Sequence, residues 1–151
     1  MAFAHKEEHL EELCGKLKEA VDCVNIFIRR CLDSSSQIQY EAMTNGTQKL
    51  IKDLCTKGSP FRKEYLKHAK CFHRYQQQYR MCSDRYFSYA DTFKDEDQTT
   101  QIKTWCCNFD RHRLCTYDSV LENCGTDAAT LAQNIVITGG GILVDITSPF
   151  L

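Results

Sequence analysis

The chain has 151 residues, of which 42% are apolar and 26% charged, and its 19 basic and 20 acidic side chains give a formal net charge of −1 at pH 7. This length is typical of a single domain with its own hydrophobic core. Binding to nucleic acid or to an anionic membrane surface needs clustered positive charge, so the balanced composition argues against both. No run approaches the roughly 20 apolar residues of a membrane span.

The apolar pattern predicts an all-α domain over residues 1–134. Residues 5–32 form a predicted first helix, because apolar side chains recur there at spacings of three and four. This apolar stripe consists of Leu10, Leu13, Cys14, Leu17, Val21, Val24, Ile28 and Cys31. A second helix is predicted over residues 37–56, after the helix-breaking and N-capping segment Asp33–Ser36. A third is predicted over residues 60–83.

Capping residues mark the remaining boundaries. Ser59 is the predicted N-cap of the third helix, with Pro60 at its first position. A fourth long helix is predicted over residues 98–124, and Gly125 suits the position that follows a helix end. Thr126 then starts a short last helix. The expected architecture is a disulfide-stapled bundle of about five helices.

Residues 135–151 differ in kind and are predicted as a separate, hydrophobic tail. Two β-branched runs flank the triplet Gly139–Gly141, a pattern typical of a hairpin or of paired extended segments. We expect such a tail to pair with other chains, or else to pack across the helices as a cover. The candidate self-association residues are Ile135, Val136, Ile137, Ile142, Leu143, Val144 and Ile146.

Ten cysteines are the most unusual feature of the composition. None belongs to a Cys-x-x-Cys motif, the usual signature of zinc fingers and thioredoxin-like redox sites. Many widely spaced cysteines favour disulfides, and disulfides favour an oxidising compartment. We therefore predict that all ten are bonded, in one of about 945 pairings. They are Cys14, Cys23, Cys31, Cys55, Cys71, Cys82, Cys106, Cys107, Cys115 and Cys124.

Secretion is the expected location. The segment from Met1 to Glu8 lacks the apolar core of a signal peptide, so the expectation is a mature chain from which the signal has been removed. The triplet Asn45-Gly46-Thr47 is a glycosylation sequon, which makes Asn45 a candidate glycosylation site of an exported protein.

The sequence carries no recognisable catalytic motif: no nucleophile elbow, phosphate loop or HExxH is present. The segment Cys106–Cys115 is similar at a glance to the histidine helix of phospholipase A2, but its acid precedes its histidine and no glycine-rich loop lies upstream. His5 and His9 stand one helical turn apart, yet no third metal ligand is near in sequence. We predict no enzymatic activity, no cofactor and no metal.

Aromatic side chains are dense in the third helix. They suit either a filled core or the lining of an apolar cavity, as in odorant-binding-like helical carriers, with which the interval from Cys115 to Cys124 agrees. The aromatic residues in question are Phe61, Tyr65, Phe72, Tyr75, Tyr79 and Trp105.

A wider resemblance covers residues 14–135. It is carried by Leu54-Cys55, by the segment Lys57–Cys71, by Cys82, and by the late series Cys106-Cys107, Cys115, Cys124-Gly125 and Ala128-Ala129. In these features the chain resembles secreted cysteine-rich helical domains of arthropods, related to haemolymph glycoproteins and found in spider and tick secretions. The resemblance implies an extracellular helical module without known catalytic residues.

Together these observations favour a non-enzymatic secreted interaction or structural accessory protein of a secretion such as silk, glue, venom or haemolymph. Its expected partners are other protein chains, including copies of itself, and not nucleic acid. The alternative is a soluble carrier of a small hydrophobic ligand, and a toxin or inhibitor is a third possibility.

Overall fold

A computed structural model of the chain describes residues 4–87 and 97–140. These residues form six helices and no strand. The helices are α1 (Glu7–Cys31), α2 (Ser34–Cys55), α3 (Pro60–Arg74), α4 (Gln76–Phe87), α5 (Gln98–Cys124) and α6 (Thr126–Gly140). The prediction of an all-α, disulfide-stapled domain is confirmed. No helix in the described ranges is both long enough and apolar enough to cross a bilayer.

The predicted caps explain why the helices begin and end where they do. The Asp33 side chain accepts a hydrogen bond from the Ser36 backbone N–H (3.0 Å), and Ser59 Oγ accepts one from the Arg62 backbone N–H (3.0 Å). Each satisfies a donor that the first turn of a helix leaves unpaired. Gly125 separates α5 from α6 with a φ of 85°, a conformation that glycine adopts without steric cost.

The predicted third helix is in fact two helices, which meet at Tyr75. The Tyr75 backbone N–H still bonds to Cys71 O, but Gln78 N–H then bonds to Tyr75 O as a new helix starts. Neither proline nor glycine marks this break. The buried stripe continues across it from Phe72 to Tyr79, so periodicity alone predicts one helix.

The hydrophobic core lies where α3 to α6 meet the first turns of α1. Its buried members are Ala4, Leu10, Tyr65, Ala69, Phe72, Tyr79, Val120, Ala128, Ala129 and Leu131. The Tyr65 hydroxyl donates a 3.0 Å hydrogen bond to Ala4 O, and burial raises the pKa of Tyr65 to about 12. The core therefore holds the N-terminal part of α1 against α3.

Three disulfides tie the helices together. Cys14–Cys55 joins α1 to α2, Cys71–Cys124 joins α3 to α5, and Cys82–Cys115 joins α4 to α5, with Cα–Cα distances of 5.5, 5.9 and 5.9 Å. The remaining four cysteines have no disulfide partner within the chain, so a single copy pairs six of the ten cysteines that were predicted to be bonded. The four unpaired cysteines are Cys23, Cys31, Cys106 and Cys107.

The end of α6 corrects the predicted tail. Ile135, Val136 and Ile137 lie within α6 and are half-buried, so the prediction of an extended segment is wrong at these positions. Tertiary packing overrides their β-propensity, because α6 lies against both α5 and α2. Thr47 Oγ1 donates a hydrogen bond to Gly139 O (3.1 Å), which fixes the last turn on α2. The other four candidate self-association residues, Ile142, Leu143, Val144 and Ile146, lie outside the described residues.

Candidate functional site

Helices α1 and α2 form an antiparallel pair whose two ends differ. At the end nearest the core, the pair is held by Leu10, by the Cys14–Cys55 disulfide and by Arg62 of α3. The Arg62 guanidinium is buried, donates to Glu7 Oε1 through Nε (3.1 Å) and Nη2 (2.5 Å), and also contacts Glu11. We call this end the base.

The other end, residues 18–48, has no disulfide and no buried side chain, although α6 touches it at Thr47, and we call it the distal end. Leu10 is the only buried residue of α1, and α2 has none. Large apolar side chains of the distal end are between 41% and 68% exposed. They are Val24, Ile26, Phe27, Ile38 and Met43. The distal end therefore presents an apolar surface on a scaffold that is stapled elsewhere.

Helix α1 is apolar on two sides in this region. Val21, Asn25 and Ile28 line the grooves that face α2. A second row lies about 110° further round the helix, since successive residues turn by about 100°. Its members, which we call the outer stripe, are all exposed: Ala20, Cys23, Val24, Phe27 and Cys31. The predicted single stripe assigned Val24 and Cys31 to the buried side, and this is wrong.

Two open grooves run between α1 and α2. The larger has a volume of about 830 Å³ and extends from Glu11 to Val21 along α1, and the smaller has about 500 Å³ around Asn25 and Gln37. Polar side chains, among them Asn45 and Gln48, lie beside apolar ones in both. These grooves are large enough for a small ligand but do not enclose one.

A second exposed apolar patch lies on α4 and α5. Met81, Ile102 and Leu114 are each about half or more exposed, and Trp105 is 42% exposed. Cys106 and Cys107 lie on the same stretch of α5 as Trp105.

The aromatic side chains that suit a cavity lining lie in the core. Tyr65, Phe72 and Tyr79 are buried, with ring centroids 6.1 Å apart for the first pair and 6.5 Å for the second. Phe61 and Tyr75 pack against the same cluster. These five rings therefore contribute to the core, and neither of the two grooves is lined by them.

Three histidines meet at the base. The ring centroid of His5 lies 4.7 Å from that of His9 and 4.1 Å from that of His73. Desolvation, followed by the charges of His73 and His9, lowers the pKa of His5 and so favours its neutral form. No set of three residues able to hold a metal ion occurs in the described part of the chain.

One serine–histidine contact resembles a nucleophile and its base. Ser83 Oγ of α4 lies 3.1 Å from His112 Nε2 of α5, one turn from the Cys82–Cys115 disulfide. Burial lowers the pKa of His112, which favours the neutral ring. Neither residue lines the two grooves described above. We interpret the contact as a link between α4 and α5.

Asn45, the candidate glycosylation site, lies on α2 at the distal end and is exposed. The comparisons with family models, with curated proteins and with solved structures found no match to this chain. The resemblance to secreted arthropod domains therefore stays a prediction.

Proposed function

We propose that this chain is a non-enzymatic extracellular interaction protein, a structural or accessory component of a secretion, and that it binds protein partners through the distal end of α1 and α2. The observation that carries this proposal is the apolar surface of that end. Five large apolar side chains there are at least 41% exposed. A concentration of exposed large apolar side chains in one part of a molecule favours an interaction site there.

Energetics supports a partner for this surface. Complete burial of a side chain such as Phe or Ile stabilises by roughly 1.5–3 kcal/mol. Several such side chains on one surface therefore supply enough free energy for a specific complex. The disulfide at the base supports the same role, because it keeps α1 and α2 paired before a partner binds, and pre-organisation lowers the entropy lost on binding.

Three disulfides support an extracellular location, since such bonds persist in oxidising compartments. A glycan on Asn45, which the proposal allows, would extend from the lining of both grooves and not from the outer stripe of α1.

A carrier of a small hydrophobic ligand is the second candidate, and the groove of about 830 Å³ favours it. That volume lies within the range of small-molecule sites. We rank it second because the groove is open and bears charged side chains such as Glu11 and Lys18.

The test is affinity purification of the tagged chain from the fluid into which its cells of origin export it. We expect the wild type to recover a protein in fixed ratio, and the double variant Ile38→Lys/Met43→Lys to lose it. Met81→Lys is the matched control, because it adds a charge at an equally exposed apolar residue of the other patch. Recovery of a lipid in fixed ratio, with no protein, would support the carrier instead.

A further inference from the structure

We propose that the outer stripe of α1 binds a second copy of this chain in antiparallel orientation, and that two Cys23–Cys31 disulfides join the copies. The inference rests on the proposed function, because it names the partner of the same distal end. Three observations carry it. They are the spacing of Cys23, Phe27 and Cys31, the free thiols of the two cysteines, and the charges of Glu19 and Arg30 beside them.

The two cysteines are placed symmetrically about one aromatic side chain. Cys23, Phe27 and Cys31 follow one another at intervals of four residues, and all three are exposed. Helix geometry puts each cysteine about 6 Å along the axis from Phe27 and about 40° to either side of it. The stripe is therefore centred on Phe27, with one thiol on each side.

A bond between these two cysteines within one chain is excluded by distance. Eight residues of helix separate their Cα atoms by about 12 Å, whereas a disulfide needs less than about 7 Å. The other free thiols, Cys106 and Cys107, lie on α5, which packs against α3, α4 and α6, while α1 packs against α2.

A two-fold axis at the level of Phe27 brings the two kinds of cysteine together. In an antiparallel pair of α1 helices, Cys23 of one copy lies level with Cys31 of the other, and the two Phe27 rings meet at the axis. Each copy then uses the same surface, as in the isologous interface of a symmetric dimer. Ala20 and Val24 complete an apolar seam with the three- and four-residue spacing of helix pairs.

Charge favours the antiparallel direction. Glu19 and Arg30 lie on the same edge of the outer stripe, near its two ends. In an antiparallel pair, Glu19 of each copy comes within about 7.5 Å along the axis of Arg30 of the other, a gap that these long side chains span. A parallel pair would set Glu19 level with Glu19 and Arg30 level with Arg30.

The oxidation balances by thiol–disulfide exchange with glutathione disulfide. The Cys23 thiolate attacks one sulfur of glutathione disulfide, which forms a mixed disulfide and expels glutathione thiolate. The Cys31 thiolate of the second copy then attacks the protein sulfur of that mixed disulfide and expels the second glutathione. Each bond therefore consumes two protein thiols and one glutathione disulfide, and yields two glutathione molecules, which take up the two protons.

The experiment uses the full chain in a glutathione redox buffer, with light and ¹⁵N-labelled protein mixed before oxidation. Light scattering gives the mass, and trypsin releases Cys23 in peptide 19–29 and Cys31 in peptide 31–49. We expect a dimer in which these two peptides are joined with one light and one heavy partner. Cys106→Ser/Cys107→Ser should leave this product unchanged, and Cys23→Ser/Cys31→Ser should abolish it.

Phe27→Lys tests the seam without removing a thiol. We expect it to weaken the reduced, non-covalent dimer at least tenfold in sedimentation, while helical circular dichroism and thermal unfolding of the monomer stay as in the wild type. Crosslinks that join Cys23 to Cys23, crosslinks through Cys106 or Cys107, or a monomer at every concentration would each overturn the inference.

The outcomes separate this inference from the function on which it rests. A chain that stays monomeric here but still recovers a different protein through the distal end refutes the dimer and leaves the interaction role standing. A chain that stays monomeric and also recovers no protein refutes both the dimer and the interaction role.

Discussion

The base and the distal end belong to the same two helices, yet they differ in burial and in disulfide bonding. At the base, Leu10 is 0% exposed, Arg62 binds two glutamates, and Cys14 is bonded to Cys55. At the distal end, Phe27 is 56% exposed and both cysteines are free thiols. The difference arises because α3 and its buried arginine reach only the first turns of α1.

This comparison shows that an apolar residue on a helix has two distinct uses. At the base, apolar side chains stabilise the monomer, and a change there costs free energy of unfolding. At the distal end they leave the monomer almost unaffected and are available to a partner. Four predictions test this division, from the largest expected effect to the smallest.

Removal of the Cys14–Cys55 bond should have the largest effect on stability. The bond closes a loop of 41 residues, and the chain-entropy relation gives about 4 kcal/mol for a loop of that length. We expect Cys14→Ser/Cys55→Ser to lower the free energy of unfolding in urea by that order. Cys23→Ser/Cys31→Ser is the matched control, measured at a concentration where the chain is monomeric, and an equal loss in both would erase the distinction.

Leu10→Ala and Phe27→Ala compare the two ends directly. Truncation of a fully buried leucine removes its packing and leaves a cavity, so we expect a loss of about 3 kcal/mol. Phe27→Ala removes a larger side chain but should cost the monomer less than about 0.5 kcal/mol, since surface substitutions rarely cost more. Chemical denaturation of both variants measures the contrast, and a costly Phe27→Ala would mean that the outer stripe is covered in the monomer.

Arg62→Lys should cost less, about 2 kcal/mol. Lysine keeps the charge, but it lacks the planar fork that contacts Glu7, Glu11 and Leu54 O together, so buried hydrogen bonds are lost. The measurement is again the urea midpoint. Lys16→Ala serves as control, because its pair with Glu12 is exposed and should leave the midpoint unchanged.

Acid should destabilise the base in preference to the distal end. The pKa of His5 is lowered by desolvation and by neighbouring His73, His9, Lys6 and Lys70. A lowered pKa means that the folded state prefers the neutral ring. Its stability is therefore full above the ordinary pKa of 6.5 and falls as pH drops through the folded-state value.

Thermal unfolding at pH 7.5 and pH 5 tests this sign. Residues 18–48 contain no histidine, so hydrogen exchange should speed up first around α3 and the start of α1. The variant His5→Asn should reduce the acid sensitivity. A melting temperature that rises toward pH 5 would contradict the assigned direction.

Local chemistry made most of the helices predictable. Ser59 caps the start of α3 and Gly125 follows the end of α5, so these two residues alone locate two boundaries. Helix α2 begins at Ser34, three residues before the predicted start, because Asp33 is the residue of the predicted capping segment that caps it. The break at Tyr75 has no such signal, because it follows from how α3 and α4 pack against α5. The end of α6 was mispredicted for the same reason: α2 covers residues whose local preference is for strands.

The candidate site was less accessible from the sequence than the fold. The four-residue spacing of Cys23, Phe27 and Cys31 is visible in the sequence, but Val24 and Cys31 also continue the inner stripe. Which side of α1 is covered depends on the length of its neighbours. Disulfide connectivity likewise depends on which helices meet, and spacing along the chain does not encode that.

The Cys14–Cys55 bond also sets how far α1 extends beyond its last covalent link to α2. It clamps α1 in the first third of its length, so that the helix from Cys14 to Cys31 projects as an arm of about 25 Å. In the proposed dimer the two arms overlap around Phe27, and the two Cys14 residues would stand about 40 Å apart, twice the rise of thirteen helical residues. Such a dimer is a spacer: it holds two stapled cores at a fixed separation, with the Asn45 positions displayed between them.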